Sequence, residues 1–363
     1  MTNGEYAFGN RRSFLKAVGA VGAGGALTGL LAACGSDDKG ATTSNGTQSG
    51  SSGGGSGSGS TMKIDFQLDF LPLGRYAPYY YAIKQGFYRD AGFDVTLHHT
   101  TSTAAAIQQL AAGKAQIGLN SLPSMFKLAA QDPTAHMKSY AVIYAKASET
   151  IFFFKDGPIK EPKDLEGKTI ATSAGSNEFN NFPAFAAATG IDASKVKWKV
   201  VDPNAKTGLL LQGAVPATST NYIGLAGLQA GAKPGQQIGY FLYGDYGVKE
   251  YGTCIITTNA WADANKDRIK PFVQATLKGF TEAFKNPDAA AAAMVEKVPT
   301  LKLASAVAEI KLLPDLVMGP EQKTHGIGYQ DPATVKDNYD EAVTLTKKSI
   351  PQPYTDYFTN DDL

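Results

Sequence analysis

The sequence predicts a mixed α/β protein built as two lobes, and three observations carry that expectation. From Met62 onward short β-like runs alternate with helical ones, the order that builds a mostly parallel sheet with helices on its faces. The chain has 363 residues, too many for one compact core of ordinary size and comfortable for two. A faint internal echo also recurs after 100 residues. Gly113-Lys114-Ala115-Gln116-Ile117-Gly118-Leu119-Asn120-Ser121 and Gly213-Ala214-Val215-Pro216-Ala217-Thr218-Ser219-Thr220-Asn221 each follow a helical stretch with a glycine, a short strand and small polar residues.

Composition sets the outer limits. The 34 basic and 33 acidic side chains leave a formal charge of +1 with no long run of one sign, which gives nucleic acid no electrostatic footprint. An apolar content of 43%, with 10% aromatic, is ordinary for a folded soluble protein. Two cysteines are too few for a disulfide framework.

Residues 1–33 read as an export address. Asn10-Arg11-Arg12-Ser13-Phe14-Leu15-Lys16 precedes an uncharged, Gly/Ala-rich run from Ala17 to Ala33, and the pair of arginines resembles a twin-arginine signal. Leu31-Ala32-Ala33-Cys34 resembles the lipobox of bacterial lipoproteins, in which the cysteine takes a diacylglycerol and becomes the mature N-terminus. A run of 17 mostly small residues falls short of a membrane span of ~20. Residues 34–61 are then a lipidated Cys34 and a flexible linker: 17 of the 26 residues from Gly35 to Ser60 are Gly or Ser. Such a tether reaches about 28 Å. The expected location is the extracytoplasmic face of a cell membrane, held by the lipid on Cys34.

The first lobe is expected to begin at residue 62 and run to 153. Lys63 to Leu68 alternates polar and apolar residues as a half-buried strand does, Ala77 to Gln85 reads as a helix, and Phe93 to Leu97 as the next strand. Thr101-Ser102-Thr103 can cap a helix to Ala112, which Gly113 ends, and Ala115 to Leu119 is a strand again. The second lobe, 154–245, repeats the scheme with the strand Gly167 to Thr172, the loop Ser173-Ala174-Gly175-Ser176-Asn177, a helix, the strand Val196 to Val201 and a helix to Gln212. Ile151 to Phe154 and Cys254 to Thr258 are apolar runs suited to crossing between lobes, with hinges near Phe154 and Gly244. Residues 246–363 return to the first lobe, with helices over Pro271 to Lys285, Asp288 to Glu296 and Ala304 to Leu312.

The stretch Gly74-Arg75-Tyr76-Ala77-Pro78-Tyr79-Tyr80 through Gly86-Phe87-Tyr88 and Ala91-Gly92-Phe93-Asp94-Val95 resembles the solute receptors of bacterial ABC importers. The group is the one that binds sulfonates, nitrate, taurine and the pyrimidine precursors of thiamine. Gly113 to Gly118, Asp164 to Ile170, and Tyr246-Gly247-Val248 with Tyr251-Gly252 are similar to further blocks of that group. Phe70 stands where a Trp of the first loop is usual, and Gln116 and Pro216 where acids are common. The resemblance implies a type II periplasmic-binding-protein-like fold, with two Rossmann-like lobes joined by two crossing strands and a ligand in the cleft. Open α/β sheets independently favour ligands beyond the carboxyl ends of their strands.

Loops after predicted strands supply the candidate ligand-binding residues. The first holds Phe70, Arg75, Tyr76 and Tyr79; arginine offers a charged planar fork for an acid, and the tyrosines offer faces for stacking. The second is Asn120-Ser121, the third Gly175-Ser176-Asn177 and the fourth Ser219-Thr220-Asn221-Tyr222. Tyr246 and Tyr251, near the crossing, could close over a ligand. The expected ligand is a small flat or partly aromatic molecule, heterocyclic or bearing one acid group, and no cofactor or metal is expected. Catalysis is not expected either. Cys254 lies in an apolar strand, His98 and His99 point to opposite faces of one strand, and no zinc spacing or nucleophile elbow occurs. The expected partners are the importer's permease with its ATPase, served by a monomer that closes on its ligand. The alternatives on this fold are an enzyme like the thiamine-pyrimidine synthases and a lipoprotein that presents its liganded form to a sensor kinase.

Overall fold

The computed structural model describes residues 61–363; the expected export signal, Cys34 and the linker to Ser60 lie outside the described residues. The first lobe starts with β1 (Met62–Gln67), α1 (Ala77–Lys84), α2 (Phe87–Asp90), β2 (Phe93–His98), α3 (Thr103–Ala111), β3 (Ile117–Asn120), α4 (Leu122–Gln131) and β4 (Met137–Tyr144). The second lobe holds β5 (Glu149–Phe154), β6 (Thr169–Thr172), α5 (Asn177–Asn180), α6 (Phe182–Thr189), β7 (Lys197–Val200), α7 (Lys206–Leu211), β8 (Ala217–Asn221), α8 (Gly224–Gly231) and β9 (Ile238–Leu242). The chain then returns through β10 (Thr253–Thr258), α9 (Asn259–Ala264), α10 (Lys266–Lys285), α11 (Pro287–Lys297), α12 (Leu303–Val317), α13 (Pro320–His325) and α14 (Pro332–Thr346).

The two sheets share one plan. Strand order is β2-β1-β3-β10-β4 in the first and β7-β6-β8-β5-β9 in the second. In each, three parallel strands meet an antiparallel fourth: β10 runs against β3 and β4, and β5 against β8 and β9. The strands of the sequence echo, β3 and β8, hold the same central place in their sheets.

Local chemistry explains the elements. In β1 Ile64 and Phe66 are buried. Ser102 caps α3, its hydroxyl accepting from Ala105 N at 3.1 Å, and Gly113 beyond the helix adopts φ +69°, open to glycine at little cost. Pro271 falls inside α10 rather than starting it, so the helix begins five residues before the expected start. Its buried residues Phe272, Thr276, Gly279, Phe280 and Ala283 keep to one stripe. Gly279 sits where α10 meets α1: a Cβ there would lie 2.8 Å from both Ala82 Cβ and the Pro78 carbonyl oxygen. The core of the first lobe centres on Phe66, packed edge-on against Tyr79 at 5.4 Å and Phe272 at 5.3 Å. In the second, Phe185 stacks on Tyr243 at 4.4 Å.

The crossing needs correction. Ile151 to Phe154 and Cys254 to Thr258 do not run between lobes; they are the antiparallel strands β5 and β10, each inserted in one sheet. Their apolar runs are the mark of strands buried on both faces. The chain passes at 145–148 and again at 243–252, so residues 149–153, expected in the first lobe, belong to the second sheet, and the first hinge lies before Phe154. The passes lie side by side: Gly252 N donates to Tyr144 O at 3.2 Å, and Lys146 Nζ lies 2.8 Å from Asp245. Away from them, α12 of the first lobe packs against α8 of the second.

Candidate functional site

The loop after β1 is tied down by its own charges. Arg75 donates to Asp69 at 3.0 Å and also to Tyr76, whose hydroxyl donates to Asp69 at 2.6 Å. The guanidinium lies 4.3 Å from the Tyr76 ring centroid and 5.9 Å from that of Tyr144. Burial opposes its charge, but Asp69, Tyr76 and Tyr144 outweigh that and hold its pKa well above the ordinary value. With its side chain only 11% exposed and its charge matched by Asp69, Arg75 is a brace of this loop. The fork expected to face an acidic ligand is here occupied by Asp69 and Tyr76. Glu309 on α12 accepts from Arg75 N at 3.3 Å. Gly74 makes that approach possible, since a Cβ there would come within 2.5 Å of Ala306 Cα.

Tyr76 is buried in the same network, and Tyr79 is 2% exposed between Phe66 and Phe280, with burial pushing its phenol well above the ordinary pKa. Tyr79 belongs to the core, correcting its assignment to a cleft: on α1 it faces inward, toward β1 and α10. Phe70 stays half-buried, and its carbonyl accepts from His99 Nδ1 at 3.1 Å. That fixes the tautomer of a neutral His99 so that Nε2 accepts from the Tyr80 hydroxyl at 2.9 Å. Burial lowers the His99 pKa and favours the neutral ring.

The other predicted loops are mostly occupied with structure. Asn120 is fully buried, donating to Thr103 O at 2.8 Å and accepting from Ser121 N at 3.0 Å. Ser121 caps α4 through Ser124 N at 3.2 Å. Both side chains are thereby committed within the lobe. Ser176 caps the four-residue α5, while Gly175 and Asn177 are exposed beside it. Ser219 is buried and donates to Thr172 at 2.9 Å. Thr220 and Asn221 are half-buried, and Asn221 donates to Ser148 at 2.7 Å. Tyr222 reaches across the lobes, its hydroxyl donating to Asp315 of α12 at 2.7 Å. Tyr246 is 37% exposed and lies edge-on to Phe185 and Phe241. Tyr251, at 2% exposure, is no lid: its hydroxyl accepts from Asp331 N at 2.9 Å, and burial pushes its pKa up to about 12.

Sequence reasoning missed the most unusual group of side chains. A buried glutamate stands at each junction of the lobes, Glu149 at the start of β5 just past the first pass and Glu250 within the second, each 4% exposed. Glu149 Oε2 has no hydrogen-bond partner. Burial raises the Glu149 pKa to about 7, with Glu178 and Glu341 adding to the effect against the pull of nearby backbone amides. Glu250 is pushed well above the ordinary range, first by burial, then by Glu149 and Glu341, with Lys127 opposing. Asn181, between α5 and α6, donates to Glu250. Lys206 on α7 is buried with its Nζ 3.9 Å from Glu178. Two hollows open between the lobes beside this group. One of about 410 Å³ is lined by Lys127, Gln131, Asn180, Leu345, Thr346 and Lys348. The other, about 300 Å³, is lined by Ala184, Gly247, Val248, Lys249, Asp337 and Glu341. The available signal was an acid at the mouth of an apolar run, as in Glu149-Thr150-Ile151-Phe152, and an acid beside a tyrosine, as in Glu250-Tyr251.

Among the described residues no cluster of three or more His, Cys, Asp or Glu is arranged to hold a metal. His98 pairs instead with Asp65 at 2.6 Å. The Cys254 thiol is buried, and burial pushes its pKa up to about 12, far from a reactive thiolate.

Comparison with known proteins agrees with this architecture. The chain is 25% identical over 229 residues to a formylaminopyrimidine-binding protein of Halalkalibacterium halodurans, covering 62% of this chain and 68% of that one. It is 21% identical over 276 residues to the riboflavin-binding protein RibY of Chloroflexus aurantiacus, covering 74% and 77%. The periplasmic aliphatic sulphonate binding protein SsuA of Escherichia coli shares the fold with a TM-score of 0.60 at 13% identity, covering 80% of this chain and 88% of that one. The desulfurization enzyme DSZB shares it too, at 0.55 and 12%, covering 82% and 97%. The profile of the NMT1/THI5-like family matches residues 74–290, and with more than half its length so matched the chain belongs to that family, on a periplasmic-binding-protein fold.

Proposed function

We propose that the protein is the extracytoplasmic solute-binding receptor of an ABC importer, capturing a small flat organic molecule between its lobes and delivering it to a membrane permease. The observation that carries this reading is the unpartnered, buried Glu149 at the start of β5, beside the first of the two passes that join the lobes, where a bound molecule would engage both. A molecule that touches both lobes makes more contacts when they close, so it shifts the population toward closure, and the permease reads the closed form. The relatives named for binding formylaminopyrimidine and riboflavin support a nitrogen heterocycle. The neutralised Arg75 argues against an acid group as the main handle.

Phe70 and Tyr246, still partly exposed, together with Gly175, Ser176, Asn177, Thr220 and Asn221, are the ligand-contact candidates whose surfaces remain available. Export by the twin-arginine segment and lipidation at Cys34 complete the proposal. Changing Cys34 to alanine should move the protein from the membrane fraction to the soluble one. The ligand itself is tested by mass spectrometry of small molecules released from freshly purified protein, followed by thermal shift with each. A true ligand at 100 times its dissociation constant adds about 2.7 kcal/mol of stability. The reading fails if nothing co-purifies and no heterocycle, sulfonate or carboxylate stabilises the protein. An enzyme on the same fold, as in the DSZB likeness, would be favoured instead by turnover of the co-purified molecule.

A further inference from the structure

Helix α12 holds three parts of the molecule at once. Glu309 on it accepts from Arg75 N at 3.3 Å, and Gly74 beside Arg75 packs so close that a Cβ would lie 2.5 Å from Ala306 Cα. Farther along, Asp315 accepts from the hydroxyl of Tyr222, in the second lobe, at 2.7 Å. Tyr222 is 2% exposed and edge-on to Tyr240 at 5.2 Å, so packing aims its hydroxyl. The last four carbonyls of a helix have no partner within it, and that of Leu316 takes the amides of Ala145 and Lys146, on the first pass, at 2.9 and 3.2 Å. Lys146 pairs in turn with Asp245 of the second pass at 2.8 Å. Glu309 and Leu316 lie about 10 Å apart along one face of the helix, and Asp315 is turned roughly 100–120° from both. One side of α12 therefore holds the loop after β1 and the hinge, and another meets the second lobe.

We propose that α12 is the coupling element of the receptor, with Glu309 and Asp315 as positioning residues that make the posture of the loop after β1 depend on how the second lobe is held. A helix fixed at its end to the hinge, and along its length to a loop and to the opposite lobe, cannot follow one of them without shifting the others. Coupling of this kind is reciprocal, so loosening the Tyr222 end loosens the Arg75 end and the reverse. The proposal rests on the receptor reading above for what closure achieves. Its test needs no ligand, so either can fail while the other stands.

The test is hydrogen exchange in the unliganded mature full-length protein, read by mass spectrometry on segments 72–76, 143–147 and 219–225. Tyr222→Phe deletes the bond to Asp315, and Glu309→Ala deletes the bond to Arg75 N. Asp315→Asn and Glu309→Gln each keep an oxygen that can accept the same bond. Tyr222→Phe should raise exchange at 72–76 and 143–147 about two- to tenfold, as loss of one hydrogen bond implies. The Tyr222 hydroxyl bonds to neither segment, only to Asp315 and Tyr240. Glu309→Ala should raise exchange at 219–225 by a similar factor, and the two conservative variants should keep wild-type rates in all three segments. No rise, or one confined to 219–225 in Tyr222→Phe and to 72–76 in Glu309→Ala, overturns the proposal, because the two bonds are then local. An equal rise in β1 also overturns it, because the bonds then serve overall stability and not coupling.

Discussion

Replacing Glu149 by glutamine should stabilise the unliganded protein at alkaline pH and leave it nearly unchanged in acid. The Glu149 carboxyl has a folded pKa of about 7 against an ordinary 4.5, chiefly because burial penalises its charge. A group that holds its proton more tightly when folded contributes fully below the ordinary value, and that contribution drains away as pH rises toward 7. The difference amounts to roughly 3 kcal/mol by pH 8. Glutamine keeps the shape and never ionises, so it escapes this loss. Removing the Glu149 charge also eases ionisation of Glu250, which acts in the same direction. Urea unfolding of both proteins at pH 5 and pH 8 reads the effect as a shift in midpoint at constant slope. The variant should match wild type within about 1 kcal/mol at pH 5 and exceed it by about 3 kcal/mol at pH 8. Parallel behaviour of the two proteins across that range would refute the claim that burial raises the pKa of this carboxyl to about 7.

Three further substitutions separate scaffold from site. Tyr79→Ala should cost about 3–5 kcal/mol of stability, as expected for an aromatic removed from between Phe66 and Phe280, whereas a pocket residue would mainly lose affinity. Arg75→Ala should cost a similar ~3–5 kcal/mol in chemical denaturation by leaving Asp69 buried without its counter-charge; a large loss of binding with intact stability would mark Arg75 as a ligand anchor after all. Tyr222→Phe removes the hydrogen bond to Asp315 that ties the lobes, a bond worth about 0.5–1.5 kcal/mol. It should widen the unliganded particle in scattering and weaken the co-purified ligand several-fold without touching it.

The fold was legible because its signals are local. Alternation in β1, the Ser102 cap with Gly113 closing α3, and the repeated glycine-strand pattern at β3 and β8 all carry their reason within a few residues. The role of β5 and β10 was not local. A run such as Ile151 to Phe154 says only that both faces are buried, and whether it crosses between lobes or sits inside a sheet depends on pairing with β8 and β9, far along the chain. Pro271 hid the first turn of α10 for a similar reason, since proline usually marks a start.

The site was less legible than the fold. Arg75 reads as a free charge until Asp69 is seen folded back on it, six residues away across a loop. Tyr79 and Tyr251 read as aromatic handles, but helix phase and the Asp331 amide turn them inward. Glu149 and Glu250 lie 101 residues apart, and neither is unusual alone. Only their meeting with Glu178 and Glu341 at the crossing makes them so.

The central claim, that the two lobes close on a small molecule, is tested most directly by small-angle scattering of the full-length mature protein, freed of its co-purified molecule and then saturated with it. The account predicts a smaller radius of gyration at saturation, returning to the larger value when the molecule is removed. Identical dimensions in both states, with binding verified by calorimetry in the same samples, would contradict it.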